Sequence, residues 1–425
     1  MDFKTHLKKY LPDAEIEQLI ASFSHKEQKG FYLNLNKIDE ESLLKLFPNI
    51  KRHPLVKNGY LFDQDEYQLG KKIYHEQGLY YIQDPSAMLV AHFLNPQKEM
   101  KILDMCAAPG GKSVMTSLLM QDSGLLLSND LSSSRTNVLL QNVERMGLGN
   151  VVVTSYDLSK FKNELIEQFD GVILDAPCSG SGMFRKQEEM KADWTYEKVL
   201  KNAAIQKELI LLAYSFLKPG GTLLYSTCSY SYEEDEEVIE HLLSKSDAKL
   251  EYIDEFAGFY RSEKYPQTIH LFPHKFSGEG HYIAKIKKPG NLVIIPDKKI
   301  EVIRTKEGKG KSRQIEVYSL NKNLPKKIID FALRPGLLLG SKIDDKFIPS
   351  HHYSHYVNSE NSIPLNKEET IKFIKGETLN IQRKNGYAFV SFNGNNLGNI
   401  HLVNNVGKNL YPKGLRKTLS VDDSF

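Results

Sequence analysis

From Lys101 onward, short apolar segments alternate with helical segments, and this alternation constrains the fold more than any other feature of the chain. The apolar segments have the length and composition of buried strands. They are KILDMCA, LLLSND, VVVTSYD, FDGVILDAP and TLLYSTCS. A long helix is predicted from about Tyr196 to Leu217, with its stop at Lys218-Pro-Gly-Gly221, and another at EEDEEVIEHLL, whose acids we expect mostly in solvent. We therefore expect an α/β fold with a parallel, doubly wound sheet, which binds ligands beyond the carboxyl ends of its strands.

The segments on either side of this region have different patterns. Residues 1–90 mix short helical patterns with one strand-like segment, GFYLNLN, and form a predicted N-terminal α/β segment. Residues 91–290 form the predicted α/β domain. Residues 291–350 and 351–425 are predicted to be two small β-rich modules. They contain the strand-like segments VIIP, IEVYSL, LNIQRK and YAFVSFNG, separated by Gly, Asn and Pro.

Charge is divided unevenly between these parts. The net charge of +3 conceals 25 Lys and Arg against 13 Asp and Glu from Lys285 to the end, and 31 against 40 before it. A basic C-terminal third on an acidic body is typical of proteins that handle nucleic acid, although a solvated basic surface has the same composition. Nearby, His351, His352 and His355 lack a second pair of ligands, so we expect a solvated linker there and no metal site.

Two features indicate a cytoplasmic protein. Three cysteines in a chain of 425 residues are too few for a disulfide framework. The sequence has no run of about 18 apolar residues and no apolar signal-peptide core near its start. We therefore expect a reducing compartment and no membrane partner.

The first motif with chemical content is Asp104-Met-Cys-Ala-Ala-Pro-Gly-Gly-Lys112, at a predicted strand-to-helix turn. A P-loop interpretation fails, because GxxxxGK[ST] needs a glycine where Cys106 stands. The next predicted strand ends in an acid, Asp130, which suits a nucleoside cofactor whose ribose hydroxyls need an acceptor. S-adenosylmethionine is such a cofactor. The alternative is a structural glycine turn beside a surface acid.

Two further motifs close the fourth and fifth predicted strands. Asp175 and Cys178 lie in Asp-Ala-Pro-Cys-Ser-Gly, and Cys228 lies in Ser-Thr-Cys-Ser. Because adjacent strand ends meet at one edge of a sheet, the two thiols are expected close to each other and to the cofactor. The cysteine spacing contains no C-x-x-C pair, which argues against zinc.

A methyl donor, two thiols and a carboxylate together suit methylation of cytosine at C5. That carbon is a poor nucleophile until a thiolate adds to C6 and moves electron density to C5. A carboxyl group at N3 and N4 would stabilise the polarised ring, which suits Asp175. Loss of the C5 proton and expulsion of the thiol then call for a second ionisable group. The spacing leaves open which cysteine has which role.

At these residues the chain resembles the Sun family of S-adenosylmethionine-dependent RNA cytosine-5 methyltransferases, and within it the RsmF type, which modifies small-subunit ribosomal RNA. The resemblance covers nearly the whole chain. It is carried by Tyr81–Met88, Leu103–Lys112, Asn129-Asp130, Arg135, Asp157, Asp175–Gly180, Met183–Lys186, Trp194, Lys218–Gly221, Tyr225–Ser229, Glu233-Glu234, Leu333–Leu337 and Lys408–Arg416.

The resemblance implies a role for each matching residue. Cys228 would be the nucleophile and Cys178 would assist product release, with Asp175 at the cytosine ring. The cofactor would be S-adenosylmethionine, bound by Cys106, Ala107, Ala108, Pro109, Gly110, Gly111, Lys112, Asp130 (ribose), Arg135, Asp157 (adenine side) and Asp175. No metal is implied. Cys106 and Ser181 depart from residues common in the family, alanine and glutamate, and the second departure is expected to alter substrate contacts.

The resemblance also implies a class I methyltransferase fold, Rossmann-like, with an N-terminal RNA-binding segment and a PUA-like last module. The expected substrate is 16S ribosomal RNA near the decoding region, either as naked RNA or within the small subunit, for a chain acting as a monomer. Arg185 and Lys186 are placed to meet RNA phosphate. Two alternatives are a tRNA cytosine-5 methyltransferase and a non-catalytic RNA-binding factor of ribosome assembly.

Overall fold

The computed structural model describes residues 1–186, 188–296, 299–307, 313–321, 324–343 and 346–418. The N-terminal part is a small antiparallel sheet with helices. Its elements are α1 (Phe3–Leu7), α2 (Asp13–Ser22), β1 (Lys29–Leu33), α3 (Glu40–Leu46), β2 (Lys51–Arg52), β3 (Gly59–Phe62), α4 (Ile73–Glu76) and β4 (Tyr80–Ile82). The sheet order is β2-β3-β1-β4. The predicted strand GFYLNLN is thus confirmed as β1, the middle strand that pairs with both β3 and β4.

The central part is the α/β domain predicted from the alternation. Its elements are α5 (Pro85–Leu94), β5 (Lys101–Asp104), α6 (Gly111–Leu119), β6 (Leu125–Asn129), α7 (Ser133–Arg145), β7 (Val151–Thr154), α8 (Lys162–Leu165), β8 (Phe169–Asp175), α9 (Glu188–Ala192), α10 (Tyr196–Phe216), β9 (Leu217–Thr227), α11 (Glu236–Lys245), β10 (Lys249–Glu251), β11 (Phe259–Tyr260), β12 (Ile269–Leu271) and β13 (His281–Lys287). Each of the five predicted strands is present.

The large sheet has the order β11-β12-β13-β9-β8-β5-β6-β7, with β10 paired to β13. Strands β9, β8, β5, β6 and β7 are parallel, and β13 is antiparallel to β9. Apolar side chains of α5, α6 and α7 pack on one face and those of α10 and α11 on the other. Strands buried on both faces explain the near-continuous apolar segments in the sequence.

The C-terminal part contains two further sheets. Its elements are β14 (Lys299–Glu307), β15 (Arg313–Asn321), α12 (Lys326–Phe331), β16 (Leu337–Ile343), β17 (Lys346–Pro349), α13 (His351–Tyr356), β18 (Ile363–Pro364), α14 (Lys367–Lys375), β19 (Leu379–Asn380), β20 (Gly386–Phe392), β21 (Asn395–Val403) and β22 (Val406–Asn409). The first sheet is β14-β15-β16-β17 and the second is β18-β20-β21-β22-β19. None of the helices within the described ranges combines the length and apolarity needed to cross a bilayer.

The predicted stop of the long helix is confirmed, because the helix ends at Phe216 and Lys218–Gly221 lies at an irregularity of β9, where Gly171 pairs with Thr222 after a register shift. Two other local predictions were wrong. Residues 293–296 (VIIP) form no strand, and Val293 and Ile295 are largely exposed. LNIQRK contributes only the two residues of β19.

The histidine segment forms a helix, and the prediction of a solvated linker there was wrong. Ser350 caps α13, whose His355 side chain is buried, and His352 Nε2 lies 3.0 Å from Glu144 Oε2 of α7. Burial lowers the pKa of His351 to about 4 and that of His352 to about 2, and it raises the pKa of Glu144 to about 7. Burial therefore disfavours the charged forms of both groups at this contact, which joins α13 to α7.

The N-terminal sheet and the last sheet share one hydrophobic core. Phe31 and Tyr80 of the first belong to the same buried cluster as Phe373, Val390 and Ile400 of the second. A polar contact crosses the same boundary, since the Gln77 amide donates to the carbonyl oxygen of Phe392 at 2.7 Å. The two ends of the described chain are therefore one packed unit beside the α/β domain.

The free edge of the large sheet is covered by the chain segment that follows α12. Arg334 is 2% exposed, and its guanidinium donates to the carbonyl oxygens of Val151 (2.5 Å) and Leu148 (2.6 Å). The Val153 amide donates to the carbonyl oxygen of Arg334 at 2.8 Å. The polar groups of edge strand β7 are therefore used within the chain and are not left open for another strand.

Candidate active site

The turn between β5 and α6 is built around backbone hydrogen bonds to the next strand. The Ala107 amide donates to the carbonyl oxygen of Asn129 at 2.7 Å, and the Ala108 amide donates to Asp130 Oδ2 at 3.3 Å. Gly110 has φ +117°, which a side chain disfavours, and it leads into the first turn of α6. The turn therefore presents the free N–H groups of a helix start next to a nearly buried acid.

Arg135 joins this turn from the start of α7. Its guanidinium donates to the carbonyl oxygen of Ala108 at 2.6 Å and lies 3.6 Å from Asp130 Oδ2. Asp157 lies after β7, where its carboxylate accepts from the amide and hydroxyl of Ser159 at 3.1 and 2.6 Å. The structure thus brings Asp130 and Arg135 to the turn, and it places Asp157 two strands away from β5 at the same sheet edge.

Lys112 and Asp175 form a partly buried ion pair between the turn and the end of β8. Lys112 Nζ donates to Asp175 Oδ2 at 2.6 Å, and the Ser226 hydroxyl donates to Oδ1 at 2.7 Å. Burial acts to raise the pKa of Asp175, but the Lys112 ammonium, nearby His281 and these hydrogen bonds outweigh it and hold the pKa below its ordinary value. Asp175 is therefore an ionised carboxylate near neutral pH.

The two expected thiols are in contact. Cys178 Sγ and Cys228 Sγ are 3.2 Å apart, in the loops that follow the adjacent strands β8 and β9. The hydrogen bond to Cys228, together with burial, raises the pKa of Cys178 well above its ordinary value. The Cys178 thiol therefore keeps its proton at neutral pH. Cys106 lies apart in the glycine turn, where burial raises the pKa of its thiol.

The buried carboxylate of Glu234, for which the sequence suggested no role, holds both thiol loops. Glu234 is fully buried, and it accepts from the Ser179 amide (2.7 Å), the Ser179 hydroxyl and the Ser229 hydroxyl (2.6 Å). The Gln206 amide of α10 also donates to it at 3.2 Å. Since Ser179 follows Cys178 and Ser229 follows Cys228, one side chain fixes the relative position of the thiols.

Glu234 belongs to the acidic run that we expected mostly in solvent, and that prediction was wrong. Glu234, Asp235 and Glu236 are each at most 2% exposed, and the Thr227 hydroxyl donates to Asp235 at 2.5 Å. Helix α11 begins only at Glu236. The acids before it fold back under the thiol loops instead of starting the helix. The sequence held one indication of this burial: the acidic run lies only a few residues after Cys228. That position at the site is a better guide here than the usual exposure of acidic runs.

The same acids contribute to one group of potential metal ligands among the described residues. Ligand atoms of Asp235, Glu236 and His270 all lie within 4.8 Å of one another. His270 Nε2 and Glu236 Oε1 already form a hydrogen bond of 2.8 Å. The group therefore satisfies part of its own hydrogen bonding, and the absence of a functional metal stays a prediction.

The expectation that Arg185 contacts RNA phosphate was also wrong. Its guanidinium is buried, pairs with Glu279 Oε1 at 3.0 Å and donates to the carbonyl oxygen of Gly278. The partner is 94 residues away in sequence, so the motif alone could not reveal it. Lys186 is exposed. Ser181 is buried, and its hydroxyl accepts from the Tyr230 amide at 2.9 Å, which makes it a structural residue of the loop and not a substrate contact.

Two other residues near the site were missed. Asp104, at the end of β5, is fully buried, accepts from the Ser113 hydroxyl at 2.7 Å and has its pKa raised to about 7 by burial. His281 begins β13, where its Nδ1 lies 2.7 Å from the Ser86 hydroxyl. Burial, followed by the nearby Lys112 ammonium, lowers its pKa to about 4. Asp104 is part of the quoted motif and could have been found from its position at a strand end.

The glycine turn fits S-adenosylmethionine on chemical grounds. Asp104 Oδ1 is buried without a hydrogen-bond partner among the described residues, so it offers an acceptor to a ligand. Asp130 and the start of α6 supply an acceptor and free donors on either side of it. These are the groups that would hold the amino and ribose parts of the cofactor.

Comparison with known proteins identifies the family. Residues 91–287 match the family model of 16S rRNA methyltransferase RsmB/F, residues 1–85 match the N-terminal domain of 16S rRNA methyltransferase RsmF, and residues 360–417 match the methyltransferase RsmF PUA domain. A ribosomal RNA small subunit methyltransferase F from Shewanella piezotolerans is 31% identical, with 98% of this chain and 97% of that protein covered. The chain belongs to the RsmF family. A second member, from Shewanella loihica, is 32% identical over 83% of this chain and 80% of its own length.

Solved structures agree with this RsmF assignment. A methyltransferase homolog protein from Pyrococcus horikoshii is 28% identical, with a TM-score of 0.60 over 67% of this chain and 93% of that one. NSun6 from the same organism, solved with SFG, has a TM-score of 0.62 at 22% identity over 68% and 98% of the two chains, which supports the fold alone. The predicted class I fold, the PUA module at the C-terminal end and S-adenosylmethionine as cofactor are thereby confirmed. This RsmF-family chain is an S-adenosylmethionine-dependent RNA methyltransferase.

Proposed function

We propose that the chain methylates C5 of a cytosine in 16S ribosomal RNA, near the decoding region. The observation that carries this proposal is the pair of thiols 3.2 Å apart, beside an ionised Asp175 and next to the cofactor turn. Two thiols and a carboxylate at adjacent strand ends are the groups that covalent activation of C5 requires. The matching family and its relatives are named for methylation of 16S or small-subunit ribosomal RNA, and these names support the choice of substrate.

In the proposed mechanism the Cys228 thiolate adds to C6 of the flipped-out cytosine. The high pKa of Cys178 supports this assignment, because a thiol that keeps its proton is the poorer nucleophile. The Asp175 carboxylate accepts a hydrogen bond from the N4 amino group and holds the ring while it gains electron density. S-adenosylmethionine supplies the methyl group. For release, the Cys178 thiol gives its proton to the departing Cys228 sulfur as the C6–S bond breaks, and the resulting Cys178 thiolate takes the C5 proton, which restores the aromatic ring.

Substitution of each thiol tests these roles. Cys228→Ala should abolish methyl transfer and form no covalent adduct, because no thiolate remains to attack C6. Cys178→Ala should arrest the reaction after methyl transfer and accumulate a protein–RNA adduct, seen as a slower band under denaturing conditions. Cys106→Ala is the matched control and should give neither effect. An adduct with Cys228→Ala but not with Cys178→Ala would reverse the assignment.

The substrate is tested separately by bisulfite sequencing of total RNA from a strain that lacks the gene. We expect loss of 5-methylcytosine in 16S ribosomal RNA. Loss in a tRNA would favour the tRNA alternative. If the wild-type chain transferred label from the methyl donor to no RNA, a non-catalytic assembly factor would be the better description.

We further propose the division into residues 1–90, 91–290, 291–350 and 351–425, with RNA docking by the first segment and the basic C-terminal modules. The separate sheets support it. We also infer a monomer that acts in the cytoplasm. Deletion of residues 291–425 is a poor test, because it would expose the core shared by the N-terminal and last sheets. Point substitutions on the C-terminal surface are the better experiment.

A further inference from the structure

The last sheet has one uncovered face whose side chains are aromatic, apolar and basic. Tyr387 of β20, His401 of β21 and Lys408 of β22 lie directly opposite one another across the three strands. Val403 and Val406 form the adjacent row. We call these five residues the open face. Tyr387 is 37% exposed, and the two valines are 46% and 45% exposed.

The opposite face and part of this one are covered. Ile400 and Leu402 point into the core shared with the N-terminal sheet. Toward the other end of the strands, α13 covers Phe389, whose ring lies 6.1 Å from that of Tyr353. The Asn399 amide donates to the carbonyl oxygen of Pro349 at 2.6 Å. The open face is therefore the portion of the sheet that the chain's own helices leave uncovered within the described residues.

The rings of Tyr387 and His401 are stacked, with centroids 4.5 Å apart and planes at 18°. A stacked pair at the surface presents a flat, polarisable ring surface, and another ring can stack on it. Nucleic-acid bases stack on such residues when they are unpaired, whatever their identity. This geometry suits a base that is not held in a duplex.

Charge favours the same occupant. The sequence contains no Asp or Glu between Glu377 and Asp422, while it contains Arg383, Lys384, Lys408, Lys413, Arg416 and Lys417. Arg383 and Lys384 precede β20, and Lys408 lies on the open face. These three cations have no acidic partner in the part of the chain that the structure describes. RNA matches both features, because its phosphates bind the cations and its unpaired bases stack on the rings.

We propose that the open face binds an unpaired segment of RNA, with one base stacked on the Tyr387–His401 pair and phosphates near Arg383, Lys384 and Lys408. This inference rests on the proposed function, which assigns RNA docking to the C-terminal modules, and it names the surface and the kind of RNA, an unpaired segment. It adds a second contact, outside the active site, that holds the substrate while a cytosine reaches Cys228.

The test uses the full chain and a short fluorescent unpaired oligoribonucleotide. The double variant Tyr387→Ala/His401→Ala should bind it roughly five- to 150-fold more weakly, which corresponds to the stacking of one base. Tyr387→Phe keeps the ring and should bind like the wild type. Tyr252→Ala, which removes a 54% exposed tyrosine of the α/β domain, is the matched control and should also bind normally. Lys408→Gln should reduce the salt dependence of binding by about 0.7 in the log–log slope.

Unchanged affinity of the double variant, with its thermal midpoint equal to that of the wild type, would overturn the inference. A second outcome would also overturn the inference: the wild type self-associates, and the double variant loses this self-association while its RNA affinity stays normal. The open face would then bind a second copy of the chain. Methyl transfer to RNA by the wild type is measured in parallel. If the wild type transfers methyl groups and the double variant binds RNA normally, only this inference fails. If the wild type neither transfers methyl groups to RNA nor binds it, the proposed function fails.

Discussion

Substitution of Glu234 by glutamine should slow methyl transfer without disturbing cofactor binding. The carboxylate is fully buried and accepts from four donors, of which two lie on Ser179 and one on Ser229. Glutamine keeps the size of the side chain and one oxygen, so the Ser179 and Gln206 amides retain their acceptor. Its NH₂ group faces the two serine hydroxyls, which must turn to accept.

The expected magnitude follows from those contacts. Four hydrogen bonds to a charged group, worth about 1.5–3 kcal/mol each, become neutral ones worth about 0.5–1.5 kcal/mol, a gross loss of about 5 kcal/mol. The relief of burying a charge offsets part of this loss, so the free energy of unfolding should fall by about 2 kcal/mol. Because the bonds join the two thiol loops, a displacement of about 1 Å between them is expected, which costs on the order of 100-fold in rate.

The assay is single-turnover methyl transfer to RNA, together with the KM for S-adenosylmethionine. We expect kcat to fall while this KM stays constant, because Glu234 does not contact the glycine turn. Glu237→Gln is the matched control, since that glutamate is 39% exposed at its side chain and pairs with Lys207 at the surface. Glu234→Asp keeps the charge but shortens the reach and should not restore the rate. A wild-type kcat in Glu234→Gln would refute the positioning role.

Two further predictions concern stability. Arg334→Ala leaves the buried carbonyl oxygens of Val151 and Leu148 without their donor, so the free energy of unfolding measured in denaturant should fall by about 3 kcal/mol. The control Leu333→Ala, at a 46% exposed position, should change that free energy by less than about 0.5 kcal/mol. Equal effects of the two substitutions would contradict the role of Arg334 in covering the sheet edge. Burial raises the pKa of Glu144 to about 7, so the folded state holds this proton more tightly than the unfolded chain and loses stability as the pH rises from about 4.5 through 7. Glu144→Gln removes this loss, worth up to about 3 kcal/mol above pH 7, and thermal midpoints of the two proteins should diverge with pH; parallel pH profiles would show that Glu144 titrates normally.

The sequence was sufficient to predict the strands of the parallel sheet, because all of them follow the same rule. Buried parallel strands must be apolar on both faces, so β5, β6, β7, β8 and β9 were visible as apolar segments. Their ends then placed Asp175, Cys178 and Cys228 together, because carboxyl ends of parallel strands meet at one edge. The contact between the thiols was therefore predictable to the level of proximity, although not to a distance.

The errors share a physical cause, which is a partner distant in sequence. Glu234 looks like one acid among several at a helix start, and only the serines of two separate loops make it a buried acceptor. Arg185 looks exposed until Glu279 is placed against it. His352 looks solvated until Glu144 is seen opposite. Local patterns report exposure on average, and they carry no information on which distant segment returns to cover a charged group.

The core shared by the N-terminal and last sheets has a consequence for synthesis of the protein. Gln77 and Phe392, which contact each other across it, are separated by 315 residues. At about 5–20 residues per second, the second reaches the ribosome exit roughly 15 to 60 s after the first. During that interval Phe31, Tyr80 and their neighbours have no partner sheet to cover them. The N-terminal module is therefore finished last although it is made first, and a chain that stops early exposes an apolar surface for chaperones or proteases to recognise.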